Sequence, residues 1–412
     1  NISAQAESYN STAITVTEPS QDSDGYYLIG TAGELYWFAD FVNSGNVSVN
    51  AKLTADIVVN ENLVERLTFD SSGYVSNDDE FIYWTPVAEY SGIFDGQEHT
   101  ISGLFYIWSF SGIGVFVGAD SATIKNLGVI DTYFHGGDDS VGGICSSGEN
   151  VTITDCYSDA TLFHEGYEVA GICGSLYGGE ISNCYNTGSI EGYYGMAGIV
   201  GYAVDASINN CYNSGNIGGA SSASNVAGIC ATSNKKMIIY DCYNTGNVNG
   251  TSNVGGIVGR LMNNSTVTYE ATLTDCYNIG EVTGSAEKTG SVVGILYEND
   301  VFSVEFSNCY YLENTASLSN GSAMLGVGVA SGGTPTDSEG VTESKTAEQF
   351  ASGEVAYLLN EGVTNGTQVW YQTIETDAYP VFEGETVYLT SEYTDCSRTE
   401  LVDTYYSNKG VI

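Results

Sequence analysis

Residues 169–217 read VAGICGSLYGGEISNCYNTGSIEGYYGMAGIVGYAVDASINNCYNSGNI. Two phrases alternate in this stretch, a Gly-Ile step preceded by a small residue and, later in the same unit, Cys-Tyr-Asn. Working outward, the first phrase recurs as VGGIC at 141–145, MAGIV at 196–200, VAGIC at 226–230, VGGIV at 254–258 and VVGIL at 292–296. The second recurs at Cys156, Cys184, Cys211, Cys242, Cys276 and Cys309, at intervals of 28, 27, 31, 34 and 33 residues. A period of this length marks a repeat array in which one unit cannot bury its own apolar side, so neighbours must stack.

The interior of the unit selects the architecture. Three residues before each cysteine stands an apolar residue (Ile153, Ile181, Ile208, Ile239, Leu273, Phe306), and six residues after five of them stands another (Leu162, Ile190, Ile217, Val248, Val282). Short apolar runs punctuated by Gly and Asn, with no sustained 3.6 period, predict strands and tight corners. Propeller blades and helical repeats need roughly 33 to 47 residues, and an interval of 27 is too short for four antiparallel strands. The reading is an all-β, right-handed parallel β-helix of about eight coils, its rungs ~4.8 Å apart so that equivalent residues form columns. An earlier coil carries Leu127 where later ones carry cysteine, which predicts that the cysteine column points inward.

Charge narrows the function. Lys and Arg total 10 against 51 Asp and Glu, a formal net charge of −41. Nucleic acids and anionic lipids recruit Lys and Arg, so both are excluded as partners, and polyanionic substrates such as pectate are disfavoured. Carboxylate and amide oxygens are compatible with calcium. No cofactor is expected otherwise. No apolar run approaches the ~18 residues of a membrane span, so no membrane insertion is expected.

The chain divides into a Ser/Thr-rich tail (1–24), a helical cap (25–50), the β-helix (51–315), a weak final coil and linker (316–345), a C-terminal cap of one helix and short strands (346–390) and a last tail (391–412). Thr31 with Glu34 and Thr346 with Gln349 have capping-box spacing, and Gly45 and Gly362 suit helix ends. Helical caps would cover the open backbone of the terminal coils. Insertions such as residues 60–84 would leave the coil as loops, where function is often grafted.

The phrases VGGIVG and CYNTGNVNG resemble the GLUG-motif repeats of bacterial surface proteins. Such repeats are found in gut Firmicutes and in the non-catalytic region of immunoglobulin-A-specific metallopeptidases. The opening YLIGTAGELYWFADFVNSG, with AKLTADIVV and YSGIFDGQEHTISGL, and the closing TAEQFASGEVAYLLNEG with AYPVF are similar to modules flanking such repeats, so the resemblance spans roughly residues 25–388. It implies an extracellular, secreted or surface-attached bacterial protein, monomeric and part of a larger polypeptide. The metallopeptidase activity does not carry over. It needs a helical H-E-x-x-H, and the nearest string, HEGYE at 164–168, lacks the second histidine.

Four residue sets are candidates for ladders or sites. Cys156, Cys184, Cys211, Cys242 and Cys276 read as buried free thiols, since stacked side chains point the same way and C-x-x-C spacing is absent. Asn186, Asn213, Asn244 and Asn278 read as a corner ladder bonded from coil to coil. Tyr157, Tyr185, Tyr212, Tyr243 and Tyr277 read as an outward row, either a glycan-stacking platform or a self-packed column. His135 and His164 each follow their coil's core residue by eight positions, so they are expected in neighbouring rungs near Asp138, a set that could hold a transition metal. The functional expectation is a non-catalytic adhesin, recognition surface or stalk for host or dietary glycans or glycoproteins. The alternative is a carbohydrate-active enzyme, a hydrolase or lyase, with its site in the loops of residues 60–110.

Overall fold

The computed structural model describes residues 14–107, 112–262, 266–284, 288–297, 302–313, 316–318, 325–330, 342–393 and 401–409. The chain winds through about seven turns of a parallel β-solenoid, close to the expected eight. Successive rungs pair in parallel, with the cysteines in register (Cys211 opposite Cys242) and the tyrosines beside them (Tyr157–Tyr185–Tyr212–Tyr243–Tyr277–Tyr310). A second inward column carries Phe116, Cys145, Cys173, Val200, Cys230, Val258, Val293 and Val327. Nine cysteines are buried free thiols; Cys396 lies outside the described residues. Each thiol of the Cys-Tyr column leans on a nearby backbone carbonyl (Cys184 Sγ to Ser182 O, 3.1 Å; Cys211 Sγ to Asn209 O, 3.1 Å), and burial pushes the thiols of Cys156, Cys184, Cys211 and Cys276 well up.

The two phrases are coupled by packing. A Cβ on Gly171, Gly198, Gly228 or Gly256 would meet the side-chain amide of Asn186, Asn213, Asn244 or Asn278 at 2.2 to 2.5 Å. The glycine of one half therefore makes room for the asparagine of the other. Those asparagines are fully buried. Asn186 Nδ2 donates to Asn213 Oδ1 (2.8 Å), Asn213 Nδ2 to Asn244 Oδ1 (2.7 Å) and Asn244 Nδ2 to Asn278 Oδ1 (2.7 Å). Each also donates to the glycine carbonyl two residues on. The left-handed corner lies elsewhere, at the Asp or Asn just before each cysteine: Asp155, Asn183, Asn210, Asp241, Asp275 and Asn308 have φ between 49° and 55°. These are residue types that tolerate that region.

The N-terminal helix Ala32–Asn43 buries Leu35, Phe38, Ala39 and Val42, and Thr31 caps it by accepting from Glu34 N. Thr17 N donates to Gly33 O at 3.3 Å and Gln21 bridges Tyr27, so the described part of the first stretch lies along this cap. At the other end, helices Ala347–Ala351 and Glu354–Leu359 follow a capping box of Thr346 and Gln349. Strands Tyr388–Tyr393 and Leu401–Ser407 pair antiparallel, running from the end of the expected cap into the stretch read as a tail. Among the described residues, no helix is long and apolar enough to cross a membrane.

Candidate functional site

The outward tyrosines stand in a column because their backbones stack in register. Their rings are nearly parallel from rung to rung: Tyr157–Tyr185 4.9 Å and 4°, Tyr185–Tyr212 4.8 Å and 7°, Tyr212–Tyr243 4.8 Å and 7°, Tyr243–Tyr277 5.0 Å and 6°. At that spacing each ring covers its neighbour's face. What the column presents to solvent is a row of ring edges and phenol hydroxyls.

The C-terminal cap divides the row. Trp370, Phe350 and Phe382 pack over Tyr243, Tyr277 and Tyr310, which are 6%, 0% and 3% exposed. Tyr277 donates to Pro380 O, and Trp370 Nε1 donates to Asp241 Oδ1 at 2.9 Å. Burial raises the Asp241 carboxyl to about 6, with Asp275 adding to the rise and the Trp370 bond opposing it. Tyr157, Tyr185 and Tyr212 stay half-exposed. Where the row emerges, a cleft of about 850 Å³ opens between Tyr185 and Tyr212 on one side and Val369, Tyr371, Phe382 and Glu383 on the other. Its floor includes Asp155, Asn183 and Asn210, themselves linked rung to rung (Asn183 Nδ2 to Asp155 Oδ1, 3.0 Å; Asn210 Nδ2 to Asn183 Oδ1, 3.2 Å). Burial pushes the Tyr212 phenol up to about 12, so the hydroxyls remain donors as well as acceptors.

The metal set needs correcting. A register shift between Asp159 and Ala160 places His135 opposite Phe163, and His164 opposite Gly136. His135 stacks between Tyr74 (5.7 Å, 4°) and Phe163 (4.6 Å, 81°). His164 is buried, and its Nε2 accepts from Tyr167 N at 3.1 Å. Burial lowers the pKa of both rings. Asp138 is exposed. Among the described residues no group of three or more His, Cys, Asp or Glu could hold a metal ion. Equal spacing from the core residue does not give equal height when a bulge intervenes.

In the described part of the 60–110 loops, Leu63 and Phe81 pack on Phe105, Ile107 and Tyr133. Asp131, facing this loop from the coil, accepts from Leu63 N and Val64 N at 2.8 and 2.9 Å. Residues 108–111 lie outside the described residues. Two features of the cleft escaped the sequence reading. The Asp/Asn row was visible as the invariant polar letter before each cysteine. Coverage of the tyrosines by Trp370 and Phe382 is a contact between residues more than 90 positions apart, with no local signal.

Residues 165–191 match the GLUG motif. In overall shape the chain is similar to a crystal structure from Bacteroides ovatus, of a protein named as a candidate immunoglobulin A1 protease, with TM-score 0.51 and 20% identity over 89% of this chain and 94% of that one. At that identity the likeness is one of fold. No curated protein matches the sequence.

Proposed function

We propose that this GLUG-repeat solenoid is a non-catalytic recognition region of an extracellular bacterial protein, holding host or dietary glycans, free or on glycoproteins, in the cleft beside its C-terminal cap. One observation carries the reading. Tyr185, Tyr212 and the Asp155–Asn183–Asn210 row line a cleft of about 850 Å³, and mixed donors and acceptors with apolar walls suit the hydroxyls and C–H faces of sugars. The stacked faces speak against the tyrosines themselves as a flat platform, so the apolar contact falls to Phe382, Val369 and Tyr371. The strongly acidic surface favours neutral or cationic glycans over polyanionic ones.

A glycan array probed with the purified chain, in calcium and then in EDTA, tests the proposal while the eluate is followed for cleaved product. Saturable retention without cleavage is the expected result, and its loss in EDTA would add calcium to the site. Product release would transfer the reading to an enzyme. A blank array would leave a rigid stalk.

A further inference from the structure

The cleft has a repeat and an end, and together they specify what fits. Along the solenoid axis two rungs line the cleft with the same pair, one phenol and one Asn side chain, Tyr185 with Asn183 and Tyr212 with Asn210, and the next rung adds Asp155, with Tyr157 continuing the row just outside the cleft. The rings repeat every 4.8 to 4.9 Å. An extended peptide advances ~3.3 Å per residue and falls out of step with this repeat after one rung. A pyranose chair built of bonds of ~1.5 Å spans on the order of 5 Å between equatorial linkage oxygens, so a straight, equatorially linked glycan stays in step.

The row is closed at one end and open at the other. Phe382 sits 5.2 Å from Tyr243, edge to face, and 6.4 Å from Tyr212. Behind it Trp370 contacts both Tyr243 and Tyr277, so nothing passes along the row beyond Tyr212. At the other end the column begins over Gly128, in register with Tyr157, whose missing side chain leaves no further ring or phenol in the row.

We infer that the cleft reads the last two or three sugars of a linear, equatorially linked, uncharged or cationic glycan, whose chain end abuts Phe382 while the rest leaves past Tyr157. This rests on the glycan reading of the cleft above. It adds that chain ends are bound and chain interiors are not.

Calorimetric titration with linear β-1,4 oligomers of glucose, xylose, mannose and N-acetylglucosamine, two to six units long, tests it. In at least one series affinity rises by about tenfold or more, some 1.4 kcal/mol, up to the trimer and is flat from trimer to hexamer. Glu383→Trp, at an exposed position on the cleft wall, lowers trimer affinity by at least about tenfold with an unchanged melting temperature. Phe382→Ala, shown folded by circular dichroism, restores a rise beyond the trimer. Affinity that climbs steadily to the hexamer in the unaltered protein overturns the inference while sparing the glycan reading. The same holds if no series binds although the array retains other glycans. A blank array sinks both.

Discussion

Replacing Asn213 by Ala should cost clearly more than the same change at Asn186, although both residues are fully buried members of one ladder. Asn213 makes three side-chain hydrogen bonds: it accepts from Asn186 Nδ2 at 2.8 Å and donates to Gly215 O at 2.8 Å and to Asn244 Oδ1 at 2.7 Å. Its removal strips partners from both flanking rungs. Each buried polar group left unsatisfied costs about 1–3 kcal/mol, so the polar loss at Asn213, with three partners affected, is on the order of 3–9 kcal/mol. Asn186 stands at the start of the ladder, where the preceding rung carries Ser158, and its Oδ1 has no partner. Deleting it breaks two bonds but also removes an atom that is already unsatisfied, which lowers the net cost by about 1–3 kcal/mol. The cavity left by the amide is similar in the two cases, because Gly171 and Gly198 press on the two side chains alike.

The comparison is best made by urea unfolding of the two variants alongside hydrogen exchange. A solenoid can open locally, so exchange at the strands containing Tyr185 and Tyr212 assigns the loss to its rung. Equal destabilisation to within about 0.5 kcal/mol, or a cost at Asn213 below about 1 kcal/mol, would refute the additive ladder on which the argument rests.

Two further outcomes follow from buried titratable groups. The Asp241 carboxyl ordinarily titrates at 3.8 and is raised to about 6 in the folded chain. The folded state then holds a proton that the unfolded state has lost, so stability falls as pH rises from about 4 to 6, and the penalty persists above that window. Asp241→Asn keeps an oxygen acceptor for Trp370 Nε1 and should raise the pH 7 melting temperature while flattening its dependence between pH 4 and 6; an unchanged slope would assign that dependence to other groups. The nine buried thiols, enclosed in the core and shielded from solvent, should resist iodoacetamide at pH 8 in the native protein and react fully in denaturant, as mapped by mass spectrometry. Native labelling of two or more members of the Cys156–Cys309 column would contradict their inward placement.

The solenoid was legible in the sequence because its period is enforced residue by residue. Cys, Tyr and Asn occupy three successive positions facing the core, the outside and the core again, so a shift of one residue would exchange every environment. The coupling of Gly198 to Asn213 explains why the two phrases travel together, although neither letter alone reveals it. What could not be read is anything set by a break in register or by distant contact. The bulge at Asp159–Ala160 displaced the histidines, and one inserted residue leaves no compositional trace. Likewise, Trp370 reaches back to Asp241 across 129 positions, so the division of the tyrosine row into covered and half-exposed parts is a property of the assembled chain.

The same stacking that makes the fold constrains where its function can reside. Each rung uses its inward residues for the core and the faces of its tyrosines for one another, so a long run of identical coils has only edges, corners and ends left to offer a ligand. Edges and corners repeat, and repetition alone would bind every segment of a periodic polymer equally well. Specificity for one place on such a polymer requires an interruption. Here the interruption is the C-terminal cap, whose Phe382 and Trp370 stop the row at Tyr243. A cap needed to cover aromatic surface thereby creates a closed position in the row that differs from its neighbours, and the cleft lies at that position.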